Sequence, residues 1–227
     1  MRLNVIVPVH NEVAALPQML ERLRRLQRTS GVDVVVVDGG SDDGSHELLR
    51  AGGVPHVSAP LGRASQMNVG AESARGDVIL FLHADTVLPD NACAQIEAAI
   101  RDGAVGGFFR VRLDSQRPLL RLVGRMITAR SGLTGIATGD QAIFMTRDAF
   151  AELGGIPPLP LFEDVELCTR LRRLGRIVRL EGTAITSARR WENHGPWKTI
   201  LRMWILRAGY TVGLSPSVLA RYYEATR

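Results

Sequence analysis

Acidic residues in this chain stand where apolar runs end. Asp85 follows the run Val78-Ile79-Leu80-Phe81-Leu82 within the segment His83-Ala84-Asp85-Thr86. A continuous apolar run of this length, introduced by Gly76-Asp77 and followed by Leu88-Pro89, reads as a central parallel strand covered on both faces. Open α/β sheets bind ligands outside the carboxyl ends of such strands. Asp85 is therefore expected at the mouth of a cleft, where a carboxylate can hold a divalent cation that in turn holds a diphosphate. A turn cap is the competing reading. Val5-Ile6-Val7-Pro8-Val9-His10-Asn11-Glu12 and Val34-Val35-Val36-Val37-Asp38-Gly39-Gly40-Ser41-Asp42-Asp43-Gly44-Ser45 repeat the arrangement. In the second, glycines let the backbone approach a ligand while Asp38 and Asp43 can accept hydrogen bonds from a base or ribose; a tight turn with capping aspartates competes. The lysine of a P-loop and the G-x-G-x-x-G order are both missing. Glu163-Asp164 follows a proline-rich stretch and opens a helix, where the macrodipole stabilises carboxylates.

These residues need a scaffold, and the first half supplies strand and helix in short alternation. Strands are expected at 4–8, 34–37, 54–58 and 78–82, with helices at 12–28, 45–50 and 64–74 between them. That order implies an α/β fold with a Rossmann-like, mainly parallel central sheet flanked by helices. Beyond residue 103 the pattern loosens. Residues 107–113 alternate like a sheet edge, 119–131 are helical, 142–146 form a short strand, and 165–174 and 196–209 are helices.

The length of 227 residues suits one domain, its parts expected at 1–103, 104–195 and 196–227, the last as C-terminal helices. No run of eighteen apolar residues occurs, and the N-terminus enters a strand pattern without a signal-peptide layout, so a cytoplasmic protein is expected. Cys93 and Cys168 lack partners at zinc-ligand spacing. The net charge of +5 comes from arginine, Lys198 being the only lysine, and suits anionic substrates such as nucleotide sugars. No nucleic-acid-binding motif is present, and no nucleic-acid partner is expected. Residues 196–209, with Trp197, Trp204, Lys198 and Arg202, form a basic amphipathic segment suited to peripheral membrane contact, to the core or to a homodimer.

The ordered motifs resemble family 2 glycosyltransferases with the nucleotide-sugar-binding fold called GT-A. An opening V-P-x-x-N-E segment matches Val7 to Glu12, a D-G-S-x-D-G-type turn matches Asp38 to Ser45, a D-x-D-type metal motif matches His83 to Asp85, and an E-D pair matches Glu163-Asp164. Gly62-Arg63-Ala64-Ser65-Gln66-Met67-Asn68, His83-Ala84-Asp85-Thr86 and Gly139-Asp140-Gln141 resemble a small bacterial subgroup of that family.

The resemblance implies a transferase that moves a sugar from a nucleoside-diphosphate sugar to an acceptor hydroxyl with inversion, using Mg²⁺ or Mn²⁺. It implies a donor site of Pro8, Asn11, Glu12, Asp38, Asp43, Arg63, Asn68, His83, Ala84, Asp85, Asp140, Gln141 and Arg190. Arg63, at a helix start, can meet a phosphate, and Asn68 a base or sugar; Gln66 and Asn68 as ordinary helix-surface polars is the competing reading. Asp85 corresponds to the direct metal ligand, with His194 completing the shell. His83 replaces the usual first acid and either bonds ribose or fills the strand end. Asp164 corresponds to the general base, and Glu163 would position acceptor or base. Ser187 stands where processive relatives carry glutamine ahead of Arg190-Trp191, so processive polymerisation is not supported. A nucleotide-sugar-binding protein without transferase activity and a nucleotidyltransferase are the alternatives.

Overall fold

A computed structural model describes residues 1–225, and the side chains of residues 190, 193, 194, 224 and 225 lie outside that description. The chain opens β1 (Leu3–Val9), α1 (Leu16–Ser30), β2 (Asp33–Asp38), α2 (Ser45–Ala51), β3 (His56–Ser58), α3 (Arg63–Ser73) and β4 (Val78–Phe81). It continues through β5 (Thr86–Val87), α4 (Ala92–Arg101), β6 (Gly106–Asp114), α5 (Pro118–Thr134), a 3-10 turn (Gly139–Gln141), β7 (Phe144–Thr146) and α6 (Arg147–Glu152). It ends with α7 (Glu163–Leu174), β8 (Ile177–Ser187), α8 (Arg189–His194), α9 (Pro196–Thr211) and α10 (Pro216–Ala225).

The sheet runs β3-β2-β1-β4-β7-β6-β8-β5. The first four strands are mutually parallel, β7 is antiparallel to β4 and β6, β6 is parallel to β8, and β5 is antiparallel to β8. Side chains of successive strand residues point to opposite faces, and here both faces are buried. Val5, Val7, Val34, Val36, Val78 and Leu80 join one core with α1 and α4, while Ile6, Val35, Val37, Ile79 and Phe81 join another with α3 and α7. This two-sided burial explains the uninterrupted apolar runs.

Two expectations are corrected. Residues 107–113 lie in β6, which sits between β7 and β8 and is not a sheet edge. β8, an 11-residue strand missing from the sequence reading, covers it; Arg179, Glu181 and Gly182 break its alternation, and the pairing register shifts between Phe108 and Arg110. Helix α1 begins at Leu16, not at Glu12, with a proline in its first turn. Residues 12–15 are a turn in which Ala15 N–H donates to the Glu12 carbonyl at 2.9 Å. Among the described residues no helix is long and apolar enough to cross a membrane.

Candidate functional site

The loops after β1 and β2 are tied together before any ligand enters. Asn11 N–H donates to Ser41 Oγ at 2.9 Å, Glu12 N–H to Ser45 Oγ at 3.0 Å, Val13 N–H to Asp43 Oδ2 at 2.9 Å, and Asp42 N–H to Asn11 Oδ1 at 3.0 Å. Asp38 is 2% exposed. It accepts from Ser41 Oγ at 2.6 Å and lies 3.4 Å from His46 Nδ1. Asp43 also accepts from Ser45 N–H at 3.0 Å, and hydrogen bonds, chiefly from Ser45, hold its carboxyl below the usual range. Asp38 and Asp43 thus build the turn itself. Pro8 is half-buried, Asn11 is exposed and Glu12 lies 3.6 Å from Arg189.

Gln66 is no surface residue of α3. It is buried and donates to the carbonyls of Val9 at 2.7 Å and Val37 at 2.9 Å, joining the ends of β1 and β2. Gly39 must be glycine for this contact, since a Cβ there would lie 2.9 Å from the Gln66 amide carbon. Asn68 spends its amide on the loop before α7, donating to the Ile156 carbonyl at 3.0 Å and accepting from Ile156 N–H at 2.7 Å. Arg63 is exposed at the α3 N-terminus, and its charge reaches Glu163.

The segment after β4 separates two hollows. On one side a cavity of about 320 Å³ is lined by Ala84, Asp85, Asp114, Thr186, Arg189 and Glu192. Among the described residues Asp85 Oδ1 accepts only long contacts, 3.4 Å each, from Thr86 and Thr186. Its carboxylate therefore remains available to a cation. On the other side a small hollow is lined by His83, Gly139, Glu163 and Asp164. A Cβ at Gly139 would collide with the His83 ring, so the H-A-D-T and G-D-Q segments meet face to face. No group of three or more histidine, cysteine or acidic side chains is placed to close a metal shell among the described residues.

Asp164 is anchored by two backbone N–H groups. Gly139 N–H donates to its Oδ2 at 2.9 Å and Val165 N–H to its Oδ1 at 2.7 Å. Among the described residues, three that are not glycine, Asn11, Ala142 and Phe162, have positive φ, at 53°, 48° and 67°. They adjoin Glu12, Gln141 and Glu163, which places local backbone strain at the three motifs. Gln141 corrects its assignment as a ligand contact. It is fully buried, and its amide donates to the Phe109 carbonyl at 3.0 Å and Ser131 Oγ at 2.8 Å, so it shapes the turn from within. Asp140 is half-buried and accepts from the Thr138 hydroxyl; desolvation pushes its carboxyl up against that bond, and the Asp164 charge adds to the rise.

Glu163 is 7% exposed. Burial and then the adjacent Asp164 charge push its carboxyl from 4.5 up to about 7, against the pull of Arg63. The folded protein therefore holds this proton more tightly than the unfolded chain. The contribution to stability is full below about pH 4.5 and is lost as pH rises through about 7. Glu163→Gln removes the penalty of ionisation. Relative to the unsubstituted protein, the variant should gain about 2–3 kcal/mol between about pH 5 and pH 8. Thermal unfolding at both pH values measures this, and a difference independent of pH contradicts it.

Arg130 and Arg207, on α5 and α9, lie within reach of the Asp140 and Asp164 charges; the sequence offers Arg207 only as a basic residue of the segment 196–209 and does not single out Arg130, because each lies on a helix remote from the motifs. The side chains of Arg190 and His194 lie outside the described residues.

Comparison with known proteins places this geometry in context. The profile described as "Glycosyl transferase family 2" matches residues 4–154, more than half of the chain. The undecaprenyl-phosphate 4-deoxy-4-formamido-L-arabinose transferase of Aeromonas hydrophila is 30% identical over 144 residues, 57% of this chain and 44% of that protein. The chain thus spans less than half the length of that relative. The mannosyltransferase of Pyrobaculum calidifontis, solved with GDP-Man and Mn²⁺, superposes with a TM-score of 0.68 at 21% identity, covering 93% of this chain and 64% of that one. S. aureus TarS 1–349 in complex with UDP-GlcNAc gives 0.63 at 18%, covering 82% and 58%. The structural likenesses establish the GT-A fold. With motifs in family order at the ends of β1, β2 and β4, and the profile matched across them, the chain belongs to glycosyl transferase family 2.

Proposed function

We propose that the chain is a metal-dependent, inverting glycosyltransferase moving a sugar from a nucleoside-diphosphate sugar to an acceptor hydroxyl. The observation that carries this reading is Asp164, fixed by the N–H groups of Gly139 and Val165 beside the His83–Gly139 contact. A carboxylate so oriented suits a general base. The named activities of the relatives agree: two are transferases by name, and two neighbours were solved with nucleotide sugars, one of them with Mn²⁺.

On this reading the acceptor oxygen attacks the anomeric carbon as its proton passes to the Asp164 carboxylate. The bond from that carbon to the diphosphate breaks, and its electron pair leaves with the nucleoside diphosphate. One displacement from the opposite face inverts the centre. Glu163, buried beside the base, positions acceptor or base. Asp85, weakly hydrogen-bonded among the described residues and in a polar cavity, would hold a Mg²⁺ or Mn²⁺ whose remaining ligands would come from diphosphate oxygens and water. The bound ion would stabilise charge on the leaving diphosphate. We assign donor binding to residues 1–103 and acceptor binding and catalysis to 104–195, with 196–227 as C-terminal helices. Incubation with a panel of nucleotide sugars, a panel of hydroxyl acceptors and Mn²⁺ tests the reading. Release of nucleoside diphosphate with glycosylated product, abolished by chelation, is expected; no turnover over broad panels contradicts it.

The outer face of α9 is proposed to rest on an anionic membrane surface. Trp197, Leu201 and Trp204 are 71%, 63% and 65% exposed. They share the helix with Lys198, and α9 contains no acidic residue. A basic, tryptophan-bearing face matches an anionic interface. Cosedimentation with phosphatidylglycerol vesicles should fall by about tenfold in Trp197→Ala/Trp204→Ala. Vesicle binding unchanged by the substitutions, or dimerisation lost in their place, contradicts the assignment.

A further inference from the structure

Helices α5 and α9 bring two guanidinium groups to the same carboxylates. Arg130 leaves Nε and Nη2 buried without a hydrogen-bond partner, and Arg207 leaves Nη1 in the same state. Neither arginine forms an ion pair among the described residues, although the charges of Asp140 and Asp164 reach both. Buried guanidinium hydrogens are costly to leave unmatched, and two like charges facing one another add to that cost. Burial and then the Arg207 charge hold Arg130 down at about 10, and burial lowers Arg207 as well. The two guanidinium groups are short of hydrogen-bond acceptors.

Gln141 does not relieve it, since its amide is spent on Phe109 and Ser131. Asp164 is engaged by two backbone N–H groups, and the hydroxyl of Thr138 engages Asp140. The helix that carries Arg207 is anchored by fully buried Leu206, and Tyr210 donates to Glu166 Oε2 at 3.2 Å and lies against Phe162 with ring centroids 4.7 Å apart and planes tilted by 34°. Phe162 immediately precedes Glu163-Asp164, so α9 and the base share one packing unit. Both arginines lie within reach of the Asp164 charge, and they belong to α5 and α9, not to the elements that carry Asp85 and the nucleotide-side loops.

We propose that Arg130 and Arg207 form an acceptor subsite for a phosphate ester, holding the phosphate while a hydroxyl of the same molecule faces Asp164. The inference rests on the transferase reading above and adds the chemical class of its acceptor. Guanidinium groups match phosphate by charge and by paired N–H donors. The same chemistry is offered by a soluble hydroxyl-bearing phosphate monoester and by a phosphate headgroup in a bilayer. Transfer is balanced as already written: the acceptor hydroxyl gives its proton to Asp164, the new bond forms at the anomeric carbon, and the acceptor phosphate stays intact.

The test uses the full chain with glycerol 1-phosphate, with glycerol as the phosphate-free control, and with phosphatidylglycerol against phosphatidylcholine vesicles. UDP, GDP and other nucleoside diphosphates with Mn²⁺ report the donor site separately. Arg130→Gln and Arg207→Gln keep hydrogen-bonding capacity while removing charge, Arg207→Lys keeps the charge, and melting temperatures confirm that each variant is folded. About tenfold or greater weakening of glycerol 1-phosphate binding in both glutamine variants is expected. Partial retention in Arg207→Lys and unchanged nucleotide binding should accompany it. Weakening confined to phosphatidylglycerol vesicles supports the pair with a lipid source. Unchanged binding of both phosphate probes overturns the subsite. A parallel loss of nucleotide binding also overturns it, because the pair would then serve the donor. Phosphate binding lost in the variants, with no nucleotide bound by any form, leaves the subsite standing and removes the transferase reading.

Discussion

Asp164→Asn is expected to lower kcat by about 10²–10⁴-fold, the range over which a positioned general base contributes, while nucleotide affinity stays within about twofold. The substitution keeps size and shape but removes the proton acceptor. It also turns an amide NH₂ toward one of two backbone donors, because Gly139 N–H and Val165 N–H point at the two different carboxylate oxygens. One hydrogen bond is therefore lost, at about 1–3 kcal/mol of stability. Measuring the melting temperature alongside kcat separates the two effects. A variant that stays folded, binds nucleotide and turns over at the original rate would remove Asp164 from the chemistry.

Asp85→Ala should reduce kcat/KM by about 10²-fold or more, because each factor of ten requires only about 1.4 kcal/mol of lost charge stabilisation at the leaving diphosphate. The same change should cost little stability, since Asp85 accepts only two long contacts from Thr86 and Thr186. Activity as a function of Mn²⁺ and Mg²⁺ provides the measurement. The variant should lose the metal dependence together with the rate. A large fall in melting temperature with unchanged metal dependence would make Asp85 a structural residue of the β4–β5 corner.

Local pattern revealed the parts of this protein that are local. The runs at 34–37 and 78–82 are apolar throughout because both faces of β2 and β4 are buried, and that composition reads directly as central strand. Motifs at strand ends were legible for the same reason, since the end of an apolar run marks where the chain leaves the sheet. β8 was not legible, because Arg179, Glu181 and Gly182 interrupt its pattern and its pairing with β6 is long-range. Gln66 and Gln141 were visible as motif members, but their roles depend on carbonyls in other elements, Val9 and Val37 for one and Phe109 for the other. Residue type cannot distinguish a glutamine that faces a ligand from one that satisfies a strand end. The convergence of Arg130 and Arg207 is likewise a property of helix packing, with no spacing to announce it.

On the proposed reading the strand ends of β1, β2 and β4 form a nucleoside-diphosphate site completed by a divalent cation at Asp85. Calorimetric titration with UDP, GDP, ADP, CDP and dTDP, with and without Mn²⁺, in the unsubstituted protein and in Asp85→Ala, tests it most directly. Saturable binding of at least one nucleotide, requiring Mn²⁺ and lost in the variant, is expected. Binding of no nucleotide, or binding indifferent to both Mn²⁺ and the substitution, would contradict it.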